Sequence, residues 1–175
     1  MNRAQLEHIL RACGAIVLDH EFVVIGSQAI LGAHPGASPV LLRSMDADLY
    51  PKNRPEEAPA LDGAIGEGSL FHQTFGYYVH AVGPETAILP QGWEGRLVRI
   101  CNENTRGVTG LCLDPVDLAV SKLAAGRDAD LEFVRELARY GLMEVGLAVA
   151  RLDTMPLPAE SAERIATFLR MIRTS

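Results

Sequence analysis

Leu6, Ile9, Leu10, Cys13 and Ile16 recur at three- and four-residue spacing. That period predicts an amphipathic opening helix, with Gly14 marking its fraying end. The pattern then changes. "EFVVIG" is a short apolar run with two valines and a glycine stop, the signature of a buried strand. "SQAILGAH" is short and helix-compatible, with Ser27 placed to cap it, and "HPGASP" is loop chemistry. "MDADLY" alternates, which puts Met45, Ala47 and Leu49 on one face of a strand and Asp46, Asp48 and Tyr50 on the other. The Pro-, Gly- and charge-rich "PKNRPEEAPALDGAIGEGS" predicts a loop holding one or two helical turns. "YYVHAV", "RLVRIC" and "VTGLCL" predict three further strands.

From Asp114 the period is helical throughout. In "DPVDLAVSKLAAG", Asp114 stands at the N-cap, Pro115 at the first helical position and Asp117 in the first turn, and Gly126 closes the helix. "DADLEFVRELARYG" predicts a second helix, with Asp128 as its cap and Leu131, Val134, Leu137 and Ala138 on its apolar face. Two more helices are expected around Met143–Leu152 and Glu160–Ile172. The layout is α+β: a small mixed sheet with flanking helices over residues 1–113, then a helical region over residues 114–175 packed on that core.

Composition narrows the possibilities. Nearly half of the 175 residues are apolar, enough for a proper core. A formal charge of −6 argues against a surface devoted to polyanionic nucleic acid, although Arg96, Arg99 and Arg106 lie close in sequence. The three cysteines, Cys13, Cys101 and Cys112, have neither disulfide-framework nor zinc-knuckle spacing. Cys101 and Cys112 are expected to be buried in their strands as small hydrophobes. No apolar run approaches a membrane span, and the N-terminus lacks a signal pattern, so a soluble cytoplasmic protein is expected.

The chemistry lies in two short stretches. Asp46 and Asp48, two apart on a strand, share a face at about 7 Å backbone separation. Their carboxylates can converge on a hard divalent cation such as Mg²⁺ (or Mn²⁺), which can steer phosphates and activate an attacking hydroxyl. Gly26-Ser27, at the start of a helix, offers the complement. Glycine admits a phosphate close to the backbone, and the serine hydroxyl with the helix N-terminal N–H groups receives its charge.

Gly26-Ser27 after one strand and Asp46-x-Asp48 on the next resemble the signature of the polymerase-beta-type nucleotidyltransferase superfamily. The similarity is strongest to its bacterial branch of abortive-infection and toxin–antitoxin-related nucleotidyltransferases. "PQGWEGRL" (residues 90–97) and "DLAVSKLAAGRDADLEFV" (residues 117–134) carry the rest of the likeness, which spans roughly Phe22 to Leu142. The resemblance implies Asp46 and Asp48 as catalytic metal ligands and Gly26-Ser27 as the phosphate turn. It implies Lys122 reaching toward the nucleotide, and Asp128 and Asp130 as a second acidic motif. It implies transfer of a nucleoside monophosphate from a nucleoside triphosphate to an acceptor hydroxyl on tRNA, a protein or a small molecule. A partner protein encoded in the same operon is a further expectation.

Two departures accompany the likeness. Nineteen residues separate Ser27 from Asp46, more than in compact members, and the "HPGASP" loop absorbs the excess. Active relatives often carry a third carboxylate on a later strand, whereas "YYVHAV" holds His80, which can itself ligate a metal. Asp62, Glu67 and Asp130 are the acids able to substitute. A catalytically degenerate fold serving as a binding or regulatory partner is therefore the alternative, and a metal-dependent phosphohydrolase is a weaker third. Among the remaining residues, His34 lies in a Gly/Pro loop near the proposed site, either as plain loop or in reach of substrate, and His72 is expected to be half-buried. Trp93 either plugs the core or stacks a base.

Overall fold

The computed structural model describes residues 1–173, and it is a mixed α/β fold in two compact units. The first unit comprises Met1–Thr86 and Leu97–Leu113, and the second comprises Ala87–Arg96 and the chain from Asp114 onward.

The first unit is built on a five-stranded mixed sheet: β1 (Glu21–Val24), β2 (Asp46–Pro51), β3 (Tyr78–Ala81), β4 (Val98–Ile100) and β5 (Thr109–Cys112), in the order β3-β2-β1-β5-β4. β1 runs antiparallel to β2 and parallel to β5, β2 runs parallel to β3, and β4 is antiparallel to β5. Helix α1 (Arg3–Val17) opens on Asn2, whose side chain accepts from the Gln5 N–H while the Gln5 side chain accepts from the Asn2 N–H. Leu6, Ile9, Leu10 and Cys13 of this helix are completely buried. Each large aliphatic contributes about 1.5–3 kcal/mol by burial, against about 1 kcal/mol for a cap, so packing positions the helix. The fit is tight where Leu10 lies over Gly110 of β5, because a Cβ there would stand 2.6 Å from the leucine Cδ1.

The register sorts the sheet into two faces. Phe22, Val24, Leu49, Gly110 and Cys112 share the face toward α1 and the short helix α2 (Ile30–Ala33), whose Gly32 abuts Cys112. Asp46, Asp48 and Tyr50 share the opposite face with Tyr78 and His80. Helices α3 (Ala58–Ile65) and α4 (Leu70–Phe75) bridge β2 to the parallel β3, and α3 packs on α1 and β3.

Several local expectations change. The stretch expected as a loop with one or two helical turns carries the two-turn α3, as expected, whereas α4 was not foreseen. The Ser69 hydroxyl caps α4 by accepting from the His72 N–H at 3.1 Å, and Gly76 at φ 76° ends it. Ser27 does not cap α2: it lies inside a 3₁₀ turn (Ser27–Ala29) that opens on Gly26, and Ala29 is the residue before α2. Met45 precedes β2 and is exposed, so it does not join the apolar face of Ala47 and Leu49. Cys101 follows β4 and is exposed, whereas Cys112 is buried as expected. Burial pushes the Cys112 thiol up to about 12, which keeps it protonated and inert.

The second unit is helical: α5 (Pro115–Ala125), α6 (Asp128–Arg139), α7 (Val145–Leu152) and α8 (Ala159–Arg173). α5 follows its sequence signals, with the Asp114 carboxylate accepting from the Val116 N–H at 3.0 Å and Gly126 closing at φ 70°. Arg127 is the N-cap residue of α6 and Asp128 its first helical residue, where an acid still complements the helix dipole. The completely buried Asp117 accepts two bonds from Arg96, at 2.8 and 3.1 Å, and one from Arg151 at 2.9 Å. Arg96 lies in the "PQGWEGRL" segment, so this pairing ties residues 87–96 to the helices. No helix among the described residues is long and apolar enough to cross a membrane.

Candidate functional site

The site is the polar face of β2 and β3. Asp46 and Asp48 sit two apart on β2, and the parallel register sets Tyr78 opposite Asp46 and His80 opposite Asp48. The His80 Nδ1 stands 2.7 Å from Asp48 Oδ1. One ligand atom from each of Asp46, Asp48 and His80 lies within 4.8 Å of the others. Two half-buried carboxylates and one exposed imidazole thus form a donor cluster at the surface.

The surrounding residues set its geometry. Gly26 lies directly against Asp48, since a Cβ there would fall 1.7 Å from Asp48 Oδ2. The main chain keeps β1 and β2 together at this point, the Ile25 N–H donating to the Asp48 carbonyl at 3.0 Å. The Ser44 hydroxyl donates to the Asp46 carboxylate. Buried Gln28, one residue beyond Ser27, donates through Nε2 to the Ser44 carbonyl at 3.0 Å. The Gly-Ser turn and the first aspartate are therefore mechanically linked.

The electrostatics reflect crowded carboxylates. The hydrogen bond with Asp48 raises the His80 pKa; burial works against this, and the charges of Asp48, Asp62 and Asp46 add to it. Burial also pushes the Tyr78 phenol up, and Asp46, Glu67 and Asp48 push in the same direction. The carboxylates around the imidazole favour its protonated form.

The acids considered as a third ligand stand elsewhere. Asp62 of α3 accepts from the Ala81 N–H at 2.9 Å, tying α3 to β3 beside His80. Glu67 lies near Tyr78 and outside the donor cluster. Asp130, in the helical unit, is buried and accepts from Lys122 at 2.8 Å and from Arg127 at 2.7 Å. Lys122 is held there between Asp130 and the ring of Phe133, 4.8 Å from its centroid, while Asp128 is exposed. The structure thus joins Gly26, Asp46, Asp48 and His80 in the first unit and Lys122 with Asp130 in the second. Ser27, half-buried in its 3₁₀ turn, adjoins Gly26.

Sequence reading missed Tyr78 and Ser44, and offered Asp62 as a substitute ligand without placing it beside His80. Ser44 carried a usable signal, because a hydroxyl two residues before Asp46 can reach that carboxylate. Tyr78 and Asp62 depend on strand register and on a helix that was expected to be mostly loop. His72 is half-buried as expected, and its ring lies 4.5 Å from that of Tyr78. Trp93 is half-buried.

Residues 5–171 match the family described as nucleotidyltransferase of unknown function (DUF6036). No curated protein and no solved structure was found to match the chain. The match covers nearly the whole sequence, and the chain belongs to this nucleotidyltransferase family.

Proposed function

We propose that this member of the nucleotidyltransferase family moves a nucleoside monophosphate from a nucleoside triphosphate to an acceptor hydroxyl, with a divalent ion held by Asp46 and Asp48. One observation carries the reading: Asp46, Asp48 and His80 converge beside the closely packed Gly26. The donor chemistry fits a divalent cation, because two carboxylates supply the negative charge that a dication requires. Such an ion, Mg²⁺ or Mn²⁺, would offset the charge of the transferring phosphate.

The chain's own residues do the rest. Asp46 is aimed by Ser44, and Ser44 by Gln28. Gly26, lacking a side chain, lets the Asp48 carboxylate sit directly against the backbone of the turn, and the Ser27 hydroxyl receives part of the phosphate charge. The acceptor oxygen forms a bond to the α-phosphorus while the bond to pyrophosphate breaks. Pyrophosphate leaves, and the acceptor proton passes to solvent. The acceptor is a tRNA end, a protein side chain or a small molecule, in a toxin–antitoxin-related setting with an operon-encoded partner. The pair of Lys122 with buried Asp130 and the exposed Asp128 are assigned no bond-making step.

Titration calorimetry with each nucleoside triphosphate, with and without divalent ion, tests this. Ion-dependent binding of a triphosphate, lost in folded Asp46→Asn and Asp48→Asn variants, is the expected result. Undiminished binding in both variants would remove the metal-site reading. A second reading, a fold that binds a partner without transferring, is favoured by the histidine at the position where a third carboxylate is expected. Pyrophosphate release in the presence of candidate acceptors separates the two.

A further inference from the structure

The donor cluster is not all oxygen. His80 occupies the position directly across the parallel register from Asp48, on the same face as Asp46. Its Nδ1 already stands 2.7 Å from an Asp48 oxygen, and one atom from each of the three residues lies within 4.8 Å of the others. Two carboxylates and an imidazole carry one negative charge fewer than three carboxylates. They also offer a nitrogen, which small, hard Mg²⁺ accepts poorly and first-row transition ions, Mn²⁺ included, accept better.

We propose that His80 is a direct ligand of the ion at Asp46 and Asp48, and that it makes this site select Mn²⁺ over Mg²⁺. This rests on the reading of Asp46 and Asp48 as metal ligands. The surroundings suit the role. The His80 side chain is 58% exposed, so an ion can enter without unpacking the sheet. Asp62 ties the following residue, Ala81, to α3, which steadies the end of β3 where the imidazole is mounted. Asp48 Oδ2 lies against Gly26, where a Cβ would fall 1.7 Å away, while Oδ1 of the same carboxylate faces His80 Nδ1.

The test is Mn²⁺ binding followed by electron spin echo spectroscopy, with Mg²⁺ competition, on the intact protein and on His80→Asp and Asp46→Asn. Nitrogen-14 modulation of the bound Mn²⁺ is expected in the unsubstituted protein, as the direct signature of an imidazole ligand. In His80→Asp, Mn²⁺ should still bind, the modulation should vanish, and Mg²⁺ should compete about tenfold better than before. Asp46→Asn should weaken Mn²⁺ binding in parallel. Because His80 is exposed, thermal unfolding of His80→Asp should show a folded protein.

Mn²⁺ bound without nitrogen modulation, or modulation that survives in His80→Asp, would overturn the proposal. So would an unchanged Mg²⁺ competition. Each of these outcomes leaves ion-dependent triphosphate binding intact and refutes only the role of His80. Absence of Mn²⁺ binding, with triphosphate binding indifferent to any ion, would overturn the metal-site reading as well.

Discussion

Replacing Gly26 by alanine should damage both the fold and the site, and the structure gives the size of the effect. Gly26 has an extended backbone, φ −82° and ψ −169°, which any residue can adopt. The obstacle is therefore space and not conformation. A Cβ would lie 1.7 Å from Asp48 Oδ2, 2.6 Å from its Cγ and 2.7 Å from its Cβ. Rotation about χ1 can remove the first two clashes, at the expense of the contact with His80. It cannot remove the third, because the Asp48 Cβ is fixed to the backbone of β2. Close to 1 Å of movement is needed there to reach ordinary carbon–carbon contact. It must come from separating β1 and β2 where the Ile25 N–H bonds the Asp48 carbonyl at 3.0 Å. Overpacking of this kind costs about 1–3 kcal/mol. Gly26→Ala should lower unfolding free energy by about 2 kcal/mol in urea titration. It should also weaken divalent-ion binding at least about tenfold, since the aspartate is displaced with its strand. Wild-type stability together with wild-type ion binding would refute the close approach on which this rests.

Other substitutions test the parts separately. Gly63 lies inside α3 with open space around a Cβ, so Gly63→Ala should stabilise by about 0.5–1 kcal/mol in the same denaturant assay. Asp117→Ala removes the buried carboxylate shared by Arg96 and Arg151, while Arg151 keeps Asp114 and Arg96 is partly exposed, so the cost should be about 2–3 kcal/mol, read as a lower unfolding midpoint. Burial alone would raise the Asp130 pKa, but hydrogen bonds from Arg127 and Lys122, with their charges, outweigh it and hold the carboxyl below its ordinary value. Its stabilising contribution is therefore complete above about pH 3.9 and lost as pH falls through the lower folded value. The melting-temperature gap between the unsubstituted protein and Asp130→Asn should accordingly be full at neutral pH and close only in strong acid; a gap that instead widened on acidification would reverse the sign of that argument.

Much of the architecture is legible along the chain because backbone periodicity is local. The spacing of Leu6, Ile9, Leu10 and Cys13 specifies α1, and Asp114, Pro115 and Gly126 delimit α5 by capping chemistry that needs no tertiary partner. Alternation alone places Asp46 and Asp48 on one face, since side chains along a strand repeat every second residue. Helix α4 escaped because six residues carry too little period to stand out from a loop, although Ser69 and Gly76 punctuate it.

What lies opposite Asp48 depends on the register between β2 and β3. These strands are joined through α3 and α4, and their alignment follows from how those helices pack. The tertiary structure alone therefore brings His80 to Asp48, sets Tyr78 over Asp46 and presses Gly26 against the carboxylate. It likewise decides that Arg96 ends on Asp117 and that Lys122 is held by Asp130. Charge and residue type limited which partners were possible. The choice among them was made by packing, because burying a charge is tolerable only where an opposite charge lies within reach.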